Sequence, residues 1–220
     1  QGIAAAVLNG KLYAIGGIDL SSVEIFDPQT GQWAAGPALP SEVNHGTAIT
    51  VGGKILLVGG NNSSGQTINQ VLELDPATNQ WSQKANLLTA RRGTKLVFLQ
   101  GKVWAIGGGG VTSFLDTVET YDPITNVWST APSLNMVRHW TTAWTSHGRI
   151  YVAGGFQSSS NYHKSIEVFE PSSNQWVVTG NLPENKVVAD AVVLEDKVYV
   201  VAGMPSSGTY SNKVYAADVS

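Results

Sequence analysis

A glycine pair closes an apolar run at four places, Gly16-Gly17, Gly59-Gly60, Gly107-Gly108 and Gly154-Gly155, and Ala202-Gly203 is a degenerate fifth copy. A second series is an apolar residue, an acid and a proline followed by a tryptophan: Phe26-Asp27-Pro28 to Trp33, Leu74-Asp75-Pro76 to Trp81, Tyr121-Asp122-Pro123 to Trp128, and Phe169-Glu170-Pro171 to Trp176. A third is Leu39, Leu87, Leu134 and Leu182. The tryptophans lie 48, 47 and 48 residues apart, and the leucines keep the same three intervals. Independent markers sharing one spacing identify an array of a single unit about 48 residues long, and such arrays stack supersecondary units that cannot bury their apolar faces alone.

Each unit reads as strands. An apolar run such as Ala4 to Leu8 meets a two-residue turn at Asn9-Gly10, Gly52-Gly53, Gln100-Gly101, His147-Gly148 or Glu195-Asp196, and a second run follows. Asn-Gly and Gly-Gly suit this place because both central residues of the tight hairpin turn need positive φ. The second runs, Leu12 to Ile15, Ile55 to Val58, Val103 to Ile106, Ile150 to Ala153 and Val198 to Val201, are apolar throughout, which predicts strands buried on both faces. A third strand leads into the acid-Pro turn, and the tryptophan opens a short fourth. Gly at 24 of 220 residues and charged residues at only 13%, against the usual ~7% and ~25%, fit strands and tight turns rather than helices.

Four-stranded antiparallel units with two buried faces stack face to face, the arrangement of β-propeller blades. The glycine doublets, the aromatic residues Tyr13, Trp104, Tyr151 and Tyr199 three positions before them, and the tryptophan series together resemble the kelch repeat over essentially the whole chain. The expected fold is therefore all-β: a kelch-type propeller of four-stranded blades, with four complete repeats and a fifth lacking its last strand, in one domain over residues 1–220. Blades are expected at about 1–36, 43–84, 91–131, 138–179 and 186–220. An open arc would leave two apolar faces in water, so a closed object is expected, either a five-bladed ring or a piece of a larger one, with closure by another copy as one route.

Composition narrows the chemistry. The chain has no Cys, which removes disulfide frameworks, thiolate metal sites and the Cys-Tyr link of galactose-oxidase-like copper propellers. Its four histidines, His45, His139, His147 and His163, fall at different places in the repeat and show no ligand spacing, so neither metal nor cofactor is expected. No apolar run approaches the roughly 20 residues of a membrane span. Neither membrane insertion nor, at a net charge of -3, a nucleic-acid partner is expected. Gln1 opens directly into a strand-like segment without a signal pattern and is read as a start made by processing or cloning. The lack of Cys and the low charge lean toward a secreted or cell-surface bacterial protein over a cytoplasmic adaptor.

Loops that vary between repeats on one rim carry the functional expectation. Sixteen residues before the first position of each later doublet stand Val43, Arg91, Arg138 and Lys186, followed by Asn44, Arg92, His139 and Val187. In adaptor-type kelch relatives the first of these positions is typically an arginine that contacts acidic peptide side chains, so the resemblance implies ligand contact by Arg91 and Arg138, whereas Val43 departs. The alternative is that the arginines brace neighbouring blades through carbonyl contacts. The loops after the doublets are rich in Ser, Asn, Gly and Tyr, densest from Gln157 through Ser159 and Tyr162 to His163, a composition suited to adaptable recognition. Asn44, Arg91, Arg92, Arg138, His139, Tyr162 and Lys186 are the expected ligand-binding residues of a non-enzymatic module for a protein or peptide with acidic groups. The alternatives are a carbohydrate-binding propeller and an enzyme resembling sialic-acid mutarotases.

Overall fold

The computed structural model describes residues 1–158 and 160–218, and every regular element among them is a β-strand. The first blade comprises β1 (Ala4–Leu8), β2 (Lys11–Gly17), β3 (Leu20–Asp27) and β4 (Gln32–Ala35), and the second β5 (Thr47–Val51), β6 (Lys54–Val58), β7 (Val71–Asp75) and β8 (Gln80–Gln83). In the third are β9 (Lys95–Leu99), β10 (Lys102–Ile106), β11 (Val118–Asp122) and β12 (Val127–Ala131). The fourth has β13 (Thr142–Ser146) and β14 (Arg149–Ala153), then a small hairpin of β15 (Phe156–Ser158) and β16 (Asn161–Tyr162), then β17 (Ser165–Glu170) and β18 (Gln175–Asn181). The fifth has β19 (Asp190–Leu194), β20 (Lys197–Val201) and β21 (Val214–Asp218).

Each blade sheet follows chain order and its strands pair antiparallel, four strands in the first four blades and three, β19-β20-β21, in the fifth. The β15–β16 hairpin was not legible in the polar run that forms it, and Ser159 of that run lies outside the described residues. The described residues fall into two compact units, one of residues 1–93 with 126–128, the other of 94–125 with 129–158 and 160–218.

Local chemistry accounts for the strand boundaries. Gln100 and Gly101 both take positive φ, 51° and 77°, at the β9–β10 turn, as do Asn9 and Gly10 at the β1–β2 turn. At the acid-Pro turns the Asp27 and Asp75 carboxylates accept the backbone N–H two residues on, from Gln29 at 2.9 Å and Ala77 at 2.8 Å.

In the first unit Ile15, Val23, Leu39, Ile55, Leu57 and Leu74 form one core where β1 packs beside β5. In the second, one cluster gathers Trp104, Ile106, Leu134, Ile150, Val152 and Trp176, and another Trp144, Leu182, Val198 and Val200. The tryptophans share one bond: the indole N–H of Trp81 donates to Pro37 O at 2.8 Å, that of Trp128 to Ala85 O at 3.0 Å, and that of Trp176 to Pro132 O at 2.8 Å. Trp33 differs from these three and is 54% exposed.

Burial on both faces of the second strands holds for β6 and β10, where all but the first residue is buried. It fails at β20, whose Val201 is exposed, and the neighbouring β19 likewise exposes Val192 and Leu194. Continuous apolarity therefore marks strands built for two covered faces without saying which of those faces is covered.

Candidate functional site

The glycine doublets position the loops at one end of the blades. In the second unit the amides of Gly108 and Gly155 donate to the carbonyls of Arg138 at 2.8 Å and Lys186 at 2.7 Å. A Cβ on the preceding glycines, Gly107 and Gly154, would stand 2.4 and 2.2 Å from those same oxygens, both within hard contact. The doublet thus lets one blade's loop grip the backbone of the residue that leads into the next blade. In the first unit Gly17 and Gly60 bond the carbonyls of Val43 at 2.9 Å and Arg91 at 2.8 Å in the same way.

The side chains of the residues whose carbonyls accept these bonds turn inward. Arg138 is fully buried; its Nε meets Glu167 Oε1 at 2.9 Å and its two amino groups donate to Gly154 O and to Ser165 Oγ. The other oxygen of Glu167, itself buried, accepts from the backbone N–H and side-chain amide of Asn135 at 2.7 and 2.9 Å. Burial lowers the Arg138 pKa, opposed by the Glu167 carboxylate, and the group stays charged at neutral pH. Lys186, 1% exposed, donates to Ala202 O at 2.7 Å and Ser211 Oγ at 2.9 Å and pairs with Glu184 at 3.1 Å. Its hydrogen bond, followed by that of Lys213, holds the Glu184 carboxyl down to about 2. Each of these two residues therefore ties backbone to one blade and side chain to the next. Arg91 is also fully buried.

Above Arg138 the second unit carries an aromatic cluster. His139, 2% exposed, stacks against Phe114 at 4.7 Å and Trp140 at 4.6 Å between ring centroids, with Phe156 at 5.1 Å. Phe156 in turn packs against Tyr162 at 5.9 Å, and its backbone forms a bridge with His139. Phe114, Trp140, Phe156 and Tyr162 are each half-buried, so the cluster shows ring surface to solvent around a covered imidazole. Trp140 sits at φ 51°, a left-handed conformation that large side chains adopt only where surrounding contacts enforce it. Nearby, His163 Nε2 lies 3.2 Å from Val137 O, and burial followed by the charge of Arg138 pushes its pKa down.

The corresponding loops of the first unit are polar. Asn44 and Asn61 exchange backbone hydrogen bonds, the Asn44 side chain meets His45 Nδ1 at 2.8 Å, and Arg92 donates to Thr67 Oγ1 at 2.8 Å. His45, Asn44 and Arg92 are half-buried, and desolvation followed by the nearby Arg92 charge lowers the His45 pKa.

A sequence model of the kelch-repeats domain described as KLHDC2/KLHL20/DRC7 matches residues 1–155, and a kelch-motif model matches 142–183. The chain belongs to the kelch-repeat family. Kelch-like protein 35 of Mus musculus is 32% identical over 105 residues, covering 46% of this chain and 18% of that protein. Kelch-like protein 33 of Homo sapiens is 36% identical over 97 residues, covering 42% and 18%, and alpha-scruin of Limulus polyphemus is 32% identical over 111 residues, covering 46% and 12%. The matched stretches thus span less than a fifth of these relatives. The solved structure of YjhT superposes on all of this chain and 81% of its own with a TM-score of 0.88 at 18% identity, a likeness of fold: a kelch propeller.

Within this kelch propeller the expected site residues separate by depth. Of the basic residues expected to contact ligand, Arg91, Arg138 and Lys186 are at most 1% exposed, whereas Arg92 is half-buried. Repeat offset locates a residue along a loop but not its depth, and an arginine long enough to reach a ligand is long enough to reach the next doublet's carbonyl. His139 is likewise covered, while Asn44, Arg92 and Tyr162 keep partial exposure. Phe114, Trp140 and Phe156 were missed. The available signal was that Trp140 lies outside the regular tryptophan series and immediately follows His139 at the loop offset.

Proposed function

We propose that this kelch propeller is a non-enzymatic module that binds a protein or peptide through the ring surface of Trp140, Phe156, Phe114 and Tyr162. The observation that carries the reading is a half-buried aromatic cluster standing on a loop whose base is fixed by the buried Arg138–Glu167 pair. Aromatic side chains with few rotors, held before the partner arrives, lose little entropy on binding and dominate interface energetics. In this reading Arg138, His139 and Lys186 position the loops, and Asn44 and Arg92 form a separate polar contact set on the first unit.

Panning a random peptide library against the protein, followed by titration of the enriched peptides, tests the proposal. Trp140→Gly, which suits the left-handed backbone, and Tyr162→Ala should each weaken those peptides by roughly 2 kcal/mol, about thirtyfold, without lowering the melting temperature. Peptides that bind both variants as tightly as the parent would refute the aromatic surface. A glycan-array signal lost in the same variants, with no peptide enriched, would replace the peptide with a carbohydrate.

A further inference from the structure

One ion pair recurs at the turn end of the blades. The basic residue that opens each second strand meets the acid that closes the third: Lys11 reaches Asp27 at 3.0 Å, Lys54 reaches Asp75 at 3.0 Å, Arg149 reaches Glu170 at 3.1 Å and Lys197 reaches Asp218 at 4.0 Å. The third blade has the same two residues, Lys102 and Asp122, but does not close the pair. The Asp122 carboxylate accepts the backbone N–H of Ile124 at 2.8 Å and of Thr125 at 3.2 Å, and it feels the Lys102 charge without a hydrogen bond from it. Among the described residues no carboxylate lies within ion-pair reach of the Lys102 ammonium.

Lys102 lines a cleft of about 290 Å3 between the third and fourth blades, at the opposite end of β10 from its glycine doublet. The floor is buried and largely apolar, with Leu99, Trp104 and Phe169, the two rings tilted at 52° with their centroids 4.8 Å apart. The mouth is exposed and polar, with Gln100, Lys102 and Asn174. Among the described residues that line the cleft, Lys102 alone is charged. The corresponding cleft between the first and second blades, where Asn9 and Tyr13 take the places of Gln100 and Trp104, holds Lys11 and Asp27 together as an ion pair. The repeat thus builds the same crease twice and leaves a cation available in the later one.

We propose that this cleft binds a small aromatic carboxylate, its ring inward against Trp104 and Phe169 and its carboxylate at Lys102. A single cation matches a monoanion, and the carboxamides of Gln100 and Asn174 supply further donors beside it. The buried floor favours a flat apolar body over a sugar, which carries hydroxyls around its ring: the Trp104 indole N–H already donates to Leu99 O at 3.3 Å, leaving the Thr120 hydroxyl as the polar group at that depth. Tilted ring contacts of the kind Trp104 and Phe169 already make extend to a third ring. The site shares no residue with the aromatic surface proposed above.

Trifluoromethylbenzoate serves as the probe, its fluorine NMR line followed in a titration with the full chain, and neutral trifluoromethylbenzamide as its matched control. Saturable broadening of the carboxylate is expected, with the amide bound at least about fivefold more weakly. Lys102→Gln should weaken the carboxylate by a similar factor without lowering the melting temperature, because the side chain is exposed and makes no ion pair among the described residues. Asn174→Gly, at a φ of 55° where glycine is unstrained, should weaken it about threefold. Lys11→Gln, at the ion-paired counterpart, and Trp140→Gly should leave binding unchanged, and the latter separates this result from the fate of the proposed function. No saturation by about 10 mM overturns the proposal, as does equal binding of the amide or undiminished binding by Lys102→Gln. An equal loss in Lys11→Gln would make the attraction a general effect of net charge and overturn the site as well.

Discussion

Replacing Arg138 by methionine removes a charge while keeping an unbranched apolar side chain. The buried Glu167 carboxylate loses its 2.9 Å partner and keeps, among the described residues, Asn135, and the Gly154 carbonyl and Ser165 hydroxyl lose a donor. Breaking one side of a buried pair costs about 3 to 5 kcal/mol, mostly because the other charge stays buried. At roughly 2 to 4 °C per kcal/mol for a chain of this size, the melting temperature should fall by about 6 to 20 °C. Urea unfolding followed by circular dichroism, with calorimetry for the melt, measures both. If the uncompensated carboxylate causes the loss, Glu167→Gln, which retains an oxygen for Asn135, should return at least about 1 kcal/mol in the Arg138→Met background. A single variant within about 1 kcal/mol of the parent would refute the bracing role. So would a double variant whose losses merely add, since the two groups would then act independently.

The tryptophan series predicts unequal costs for one substitution: Trp128→Ala, at 5% exposure, should destabilise by about 3 to 5 kcal/mol, and Trp33→Ala, at 54%, by well under that on the same unfolding assay. Glu184, held to about 2 against an ordinary 4.5 by Lys186 and then Lys213, contributes stability that is complete above pH 4.5 and is lost as pH falls toward 2. Glu184→Gln should flatten the acid limb of a melting-temperature profile across that window. Proton NMR should show His45 and His163 titrating below 6.5; because both folded pKa values are depressed, their contribution to stability is full above 6.5 and declines below it.

The period, the strands and the tight turns were legible because each rests on local chemistry repeated at a fixed interval: positive φ at the turns, Asp-Pro geometry, and indoles returning every 47 or 48 residues. Depth was not legible. The first residue of the loop tripeptides Val43-Asn44-His45, Arg91-Arg92-Gly93, Arg138-His139-Trp140 and Lys186-Val187-Val188 is 3%, 0%, 0% and 1% exposed, whether apolar or charged. Its backbone carbonyl is fixed by the preceding doublet, and the side chain must follow inward. Nothing in a one-letter string distinguishes an arginine aimed at solvent from one aimed at the next carbonyl.

The same tripeptides explain how one scaffold can carry different surfaces. Their third residue is left-handed in every copy, with φ of 53° at His45, 54° at Gly93, 51° at Trp140 and 56° at Val188. Glycine is the unstrained choice there, yet it occurs once, and a β-branched valine is the least suited. Backbone hydrogen bonds help to impose the conformation. In the first unit Gly93 N–H reaches His45 O at 3.0 Å, and in the second Val188 N–H reaches Trp140 O at 3.0 Å, so within each unit one left-handed residue holds the other. Because backbone bonds enforce the shape, side-chain identity is free to vary at that position without loss of the loop. The buried first residue supplies rigidity and the third presents the surface, which is why Arg138→Met should register in stability and Trp140→Gly in binding.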